Sequence, residues 1–421
     1  MILNALRAKG IHARVPLCRR LSTATTRPLT TIQVSTTRDA LIYGGRSYPY
    51  VWLRDSCQCP SCVHPSTRQK LHRTSDIPTS IQPRQQDSLQ ISDDGVHITW
   101  ESGHRSHYTL DFLDRYATPE SVHSFHRDID RVKWDVEKLK TARDLFLPYE
   151  ALDTPSGLLS AITQLTRYGL LFVTSVPNDE TSNEDCELRR LGERFGELRT
   201  TFYGETWDVK NVKNSRNIAY TNVDLGLHMD LLYFQHPPRY QILHCLRNRV
   251  EGGQSLFVDA VHVASKLRAA DPQAFDVLAS TPVAFHYIND GHHLHYSHPT
   301  IQLSRTQGRD AAAPAIEFVN YSPPFQAPLS LDTPSAFYHA LQRFASMLED
   351  PAVKFEYLLR EGDAVLFDNR RVLHARTAFH ERVGAEGVDG ETNRWLKGCY
   401  LEADAVLDRG RVLRERLDQS K

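Results

Sequence analysis

Short apolar runs, rather than long periodic ones, organise this chain. Residues 40–43 and 48–53 read as two strands around a Gly44-Gly45 turn, and 96–100 with 108–110 alternate like a hairpin. Leu158, Leu159, Ile162 and Leu165 recur at helical spacing over 158–168, and residues 169–176 follow as an apolar run of strand length. A helix over 187–195 is stopped by Gly196. From residue 217 onward short strands dominate, at 218–221, 240–245, 254–258, 283–287, 315–319, 364–368 and 395–401, with helices at 260–269, 335–348 and 405–417. Many short strands with a few helices laid outside predict a mainly β fold with flanking helices, a β-sandwich or jelly-roll barrel. Residues 120–150 show no clear period, so the chain is expected to divide into an N-terminal domain at 39–122 and a larger domain at 123–421.

Composition narrows the function. The 421 residues carry 50 Lys and Arg against 51 Asp and Glu. A near-neutral chain lacks the broad basic field that nucleic-acid binding relies on. No run approaches the ~18 apolar residues of a membrane span. Residues 1–38 differ from the rest: they hold seven basic residues, are rich in Ser and Thr, and have no acid before Asp39. That composition predicts a mitochondrial presequence, with a cytoplasmic extension as the alternative.

Three of the seven cysteines, Cys57, Cys59 and Cys62, fall within six positions. Three thiolates at CxCxxC spacing can face one zinc ion; His64, His72, His104 and His107 are the candidates for a fourth ligand. A redox or inert thiol group is the alternative. A second constellation is His228 and Asp230, an HxD pair, with His374 far downstream. Residues i and i+2 of an extended segment point the same way, so His228 and Asp230 can reach one ion together. A strand of the opposite sheet is expected to supply His374 and complete a facial triad with three positions open for a 2-oxo acid and O2. Arg394, on an expected strand, offers a guanidinium fork to a distal carboxylate, and Ser255 in Gly252-Gly253-Gln254-Ser255 could assist it. Tyr203, Trp207, Tyr220 and Tyr400 could hold a quaternary ammonium by cation–π attraction or be ordinary core aromatics. The same His, Asp and His ligands would also suit a zinc hydrolase, and a non-catalytic betaine-binding protein is a further reading.

In order along the chain stand YPYVWLRD (48–55) running into CxCxxC, TFYGETW (201–207), NIAY (217–220), HMD (228–230), GGQS (252–255), DNRRVLHAR (368–376) and NRWLKGCY (393–400). Together they resemble the carnitine-biosynthesis dioxygenases, γ-butyrobetaine dioxygenase and trimethyllysine dioxygenase, within the Fe(II)/2-oxoglutarate taurine-dioxygenase superfamily. The resemblance implies a double-stranded β-helix catalytic domain behind a small zinc-binding N-terminal domain. It implies iron ligands His228, Asp230 and His374, an oxoglutarate arginine at Arg394, and a trimethylammonium cage of Tyr203, Trp207, Tyr220 and Tyr400. Trp100-x-x-x-His104 matches the family's segment for the fourth zinc ligand, hence His104. Asn217 stands at a polar active-site contact, and Asn320 at another. The expected cofactors are Fe(II), 2-oxoglutarate and structural Zn(II), with ascorbate as a candidate reductant; a homodimer is compatible with the family. CxCxxC and TFYGETW lean toward γ-butyrobetaine hydroxylation, whereas the sequence after His228 and the basic N-terminus lean toward the trimethyllysine enzyme. Met229, Leu231 and the longer 379–391 loop depart from the family pattern and bear on the substrate, leaving a paralogue for another betaine open.

Overall fold

The computed structural model describes residues 34–210, 221–304, 313–381 and 392–420. Residues 1–33 of the expected presequence, the 218–221 strand apart from Thr221, and residues 382–391 of the expected long loop lie outside the described residues. The chain divides into two compact units, Met1–Ser121 and Val122–Lys421.

In the first unit Ala40–Tyr43 and Arg46–Pro49 form a hairpin around Gly44 and Gly45. Both glycines have positive φ, 56° and 74°, as a two-residue hairpin turn requires. The second strand stops at Pro49, and Tyr50–Asp55 is a helix, contrary to the extended 48–53 reading. Tyr50 and Leu53 are both buried, and at a spacing of three a helix puts them on one side where a strand would split them. Similarly, the Arg105–Tyr108 strand gives way to a helix at Leu110–Arg115, whose cap Thr109 accepts from the Phe112 N–H. Leu41, Tyr48, Leu53, Val96, Trp100 and Tyr108 make this unit's core.

Among the described residues of the second unit, two large sheets stand beside three two-stranded ones. The larger has six strands in the order Phe146–Pro148, Leu170–Thr174, Ala364–Asp368, Tyr240–Asn248, Arg394–Leu401 and Thr206–Lys210. The smaller has Leu225–His228, Val372–Arg376, Ser255–Asp259 and Lys354–Tyr357. All pairings in the two sheets are antiparallel except that of the first two strands of the larger one. Phe172, Val365 and Phe367 of one sheet meet Phe257 and Val372 of the other in a shared core, with Phe257 5.7 Å from Phe172 and 5.8 Å from Phe367, ring to ring. This is the jelly roll the strand pattern predicted. The Pro155–Tyr168 helix covers the outer face; Thr154 caps it and Gly169, at φ 74°, ends it. Leu171 and Val173 pack outward with helical Ala161 and Leu165 while Leu170 and Phe172 point inward, so their strand is apolar throughout.

His244, in the Tyr240–Asn248 strand, is fully buried. Burial pushes its imidazole down to about 4. The unfolded chain, with an ordinary imidazole near 6.5, therefore takes up the proton first as pH falls. The stability that the neutral ring contributes is present above ~6.5 and lost toward about 4. The linkage relation gives a loss of about 2 kcal/mol between pH 7 and pH 5. We expect His244→Leu to flatten this part of the urea-midpoint profile; an unaltered slope would show that the His244 imidazole titrates alike in the folded and the unfolded chain.

Candidate active site

His228 closes the Leu225–His228 strand, and His374 is its cross-strand partner. The expectation that His374 arrives from the opposite sheet is therefore corrected: both imidazoles stand on neighbouring strands of the smaller sheet, with ring centroids 4.2 Å apart. Directly opposed residues of an antiparallel pair share a face. Asp230 follows just past the strand, its Oδ1 3.6 Å from His228 Nε2. One ligand atom from each of the three lies within 4.8 Å of the others. His228 Nδ1 donates to the Gly226 carbonyl at 2.9 Å, which leaves Nε2 for a metal.

The carboxylate is held at both ends. Asp230 Oδ2 accepts from Gln241 Nε2 and from the Tyr400 hydroxyl, each at 2.9 Å. Its backbone N–H donates to Asn369 Oδ1 at 2.8 Å, and the Asn369 amide donates back to the Asp230 and Pro238 carbonyls at 3.2 and 3.0 Å. The next residue, Leu231, sits at φ 62°, a costly conformation for a bulky side chain that this clamp helps to maintain. Sequence reasoning missed Gln241 and Asn369. The signal for Gln241 was a lone amide inside an apolar strand, and Asn369 lay inside the quoted DNRR run.

Burial alone would raise the Asp230 carboxyl, but His374, His228, Tyr400 and Gln241 outweigh it and hold it below the usual range. Burial, then the neighbouring His228, pushes His374 down to about 3, so its ring is neutral near pH 7. Burial and Asp230 raise Tyr400 far above the ordinary phenol, keeping it a donor. Two imidazoles and an ionised carboxylate on one wall of a cavity fit a divalent iron with open positions.

The cavity beside these ligands encloses roughly 910 Å³ of space, part of it open to solvent, and Ser255 and Arg394 line it too. Arg394 is 4% exposed, and its Nε is buried without a partner among the described residues. Burial, then Arg376, lowers this guanidinium to about 10, so it stays charged at neutral pH. A buried cation with an unsatisfied donor fits the distal carboxylate of 2-oxoglutarate. Gly253 makes room: at φ 71°, a Cβ there would stand 3.2 Å from Arg394 Nε. A second guanidinium, Arg376, also lines the cavity and was not anticipated.

Tyr203, Trp207 and Tyr400 line the same cavity. Trp207 is 5.8 Å from Tyr203 and 4.5 Å from Tyr400 between ring centroids. Its indole lies on Gly398, where a Cβ would come within 2.6 Å of the ring. Asn217 and Tyr220 lie outside the described residues. Asn320 does not line this cavity: it is 1% exposed, its amide donates to the Pro299 carbonyl at 2.8 Å, and its Oδ1 accepts from Arg370 at 3.2 Å. The substrate contact expected of Asn320 gives way to a structural bond, because Arg370 is itself buried and needs acceptors.

In the first unit Cys57, Cys59, Cys62 and His104 converge. His104 Nε2 lies 3.4, 3.7 and 3.5 Å from the three sulfurs in turn. Zinc bonds of ~2.3 Å to sulfur and ~2.0–2.1 Å to nitrogen, set tetrahedrally, imply S···N edges of about 3.6 Å. The four side chains therefore fit a closed zinc site.

Two family models match the chain: "Taurine catabolism dioxygenase TauD, TfdA family" over residues 136–400, and "Gamma-butyrobetaine hydroxylase-like, N-terminal" over residues 43–114. Among similar proteins, "Dioxygenase str8" of Strobilurus tenacellus is 56% identical over 88% of this chain and 86% of its own length. The γ-butyrobetaine dioxygenase of Homo sapiens is 30% identical over 88% of this chain and 92% of its own. The mitochondrial trimethyllysine dioxygenase of Bos taurus is 28% identical over 87% and 82%.

Proposed function

The chain belongs to the TauD/TfdA dioxygenase family and is a 2-oxoglutarate-dependent dioxygenase, and from that premise we propose that it hydroxylates an unactivated C–H bond of a trimethylammonium substrate, γ-butyrobetaine ahead of trimethyllysine or another betaine. The zinc-hydrolase and non-catalytic readings fall with the premise. The observation that carries the proposal is the wall of Tyr203, Trp207 and Tyr400 in the same cavity as His228, Asp230 and His374. Product of the γ-butyrobetaine reaction would be carnitine.

In this reading His228, Asp230 and His374 hold the iron and move no protons. Bound iron supplies the redox chemistry, in which O2 oxidises substrate and keto acid together to alcohol, succinate and CO2. Arg394 and Ser255 seat the keto acid's distal carboxylate. Gln241 and Tyr400 fix the orientation of Asp230. The aromatic wall fixes the cationic end of the substrate, so that one carbon is presented to the metal and effective concentration does much of the work. Cys57, Cys59, Cys62 and His104 hold zinc as a structural ion. The basic first 38 residues support mitochondrial import, which mass spectrometry of the mature N-terminus would test.

The function is tested by oxoglutarate turnover with γ-butyrobetaine and trimethyllysine side by side. We expect substrate-dependent succinate formation, faster with γ-butyrobetaine; no stimulation by any trimethylammonium compound overturns the proposal. Trp207→Ala should raise the substrate KM by roughly one to two decades, on the order of 2 kcal/mol for a desolvated cation–π contact. An unchanged KM removes the cage.

A further inference from the structure

The first unit carries a second cluster of metal-ligating side chains, far simpler than the thiolate one. His97 and His107 are cross-strand partners on the Gly95–Thr99 and Arg105–Tyr108 strands. Their rings are stacked, 4.2 Å between centroids and 12° from parallel. Asp94, in the turn before the first of these strands, faces both: its Oδ1 is 3.2 Å from His97 Nε2 and its Oδ2 is 3.5 Å from His107 Nε2. The Asp94 backbone carbonyl also lies 3.2 Å from His107 Nε2.

We propose that Asp94, His97 and His107 form an exchangeable binding site for a transition-metal cation of the Zn2+ or Cu2+ class. Three features support it. One ligand atom from each residue falls within 4.8 Å of the other two, as at the iron triad and the thiolate cluster. Register brings the imidazoles to one face, because opposed residues of an antiparallel pair stand side by side. The turn also admits Gly95 alone: at φ 144°, a Cβ there would meet the Tyr108 carbonyl at 2.1 Å and His107 Nε2 at 2.9 Å. A side chain at residue 95 would thus push the second imidazole away from the carboxylate.

Donor chemistry selects the ion. Two imidazole nitrogens and a carboxylate oxygen favour Cu2+ and Zn2+ over Ca2+ and Mg2+, which prefer all-oxygen shells. Exposure sets the site's character. The side chains of His97, His107 and Asp94 are 43, 41 and 65% exposed, so water or a further ligand can complete the shell. Such a site exchanges its ion, unlike a closed four-ligand zinc site. Asp94 Oδ1 accepts from His97 Nε2 and from the Ser92 hydroxyl, and the Asp94 backbone carbonyl accepts from His107 Nε2.

The test uses the full-length protein with its iron and thiolate sites loaded. Zn2+ and Cu2+ are titrated separately by calorimetry, and bound metal is counted after equilibrium dialysis. Wild type is expected to take up one further ion per chain, with a Cu2+ electron-spin resonance spectrum showing two nitrogen ligands. His97→Asn combined with His107→Asn should abolish that uptake and the nitrogen couplings while leaving oxoglutarate turnover unchanged. Asp94→Asn, which takes the charge from one of the three ligands, should weaken uptake of the ion by at least about tenfold, the loss that removing an outer partner of a ligand already causes. Equal uptake and equal nitrogen couplings in wild type and the double variant overturn the proposal, as does an absence of any further ion in wild type. A near-ultraviolet dichroism spectrum matching wild type establishes that the variants are folded.

Discussion

Asp230→Ala is expected to abolish substrate-dependent succinate formation, by at least about two decades, and to strip iron from the protein. Removing outer partners of a metal ligand already costs ~10–100-fold, and here one of three ligands is lost outright. The damage extends past the metal. Gln241 Nε2 and the Tyr400 hydroxyl, which both donate to Asp230 at 2.9 Å, would be left without their acceptor, and a buried donor without a partner costs ~1–3 kcal/mol. The check is iron content by metal analysis beside oxoglutarate turnover. Wild-type iron and turnover in this variant would remove Asp230 from the metal site. Gln241→Leu makes a graded control, because it keeps the ligand and removes one of its two side-chain donors.

The largest loss of stability is expected from Arg371→Met. Arg371 is 1% exposed and Asp259 0%. The guanidinium donates to Asp259 through Nε at 3.1 Å and Nη2 at 2.7 Å, and to the Arg167 and Val132 carbonyls. Asp259 also accepts from the backbone N–H groups of Trp134 and of His262 in the first turn of the Ala260–Ala270 helix. Removing one member of a buried pair leaves an uncompensated charge and costs about 3–5 kcal/mol. For a unit of this size that corresponds to a fall in Tm on the order of 10 °C. Replacing both partners, Arg371→Met with Asp259→Leu, should recover part of the loss, since no lone charge then remains buried. Calorimetric unfolding of the three proteins decides it; a Tm shift below ~2 °C in the single variant would show that the pair is not what ties these elements together.

Much of the architecture was legible along the chain. The 158–168 helix and the buried strand after it follow from local spacing. Strands with uninterrupted apolar residues, such as Ala364–Asp368, were legible for the same reason. Of the strands that line the cavity, Tyr240–Asn248, Ser255–Asp259 and Arg394–Leu401 were legible too, but the apolar pattern did not mark Leu225–His228 and Val372–Arg376, which are short and whose histidines and arginine break the alternation. At Tyr50–Asp55 the error ran the other way, since six residues bearing Val, Trp and Leu match either period.

Residue types and spacings are local properties, so the linear sequence by itself determined the two ligand sets, Arg394, the aromatic residues and the kind of chemistry they can support. Only the tertiary structure decided that His374 stands beside His228 in the same sheet, that Tyr400 bonds to Asp230 while lining the aromatic wall, and that Asn320 serves Arg370 instead of a substrate. Each of those outcomes depends on which strands pair and in which register. That choice is made by contacts such as Asp230 with Asn369, 139 positions apart, and no local pattern encodes it.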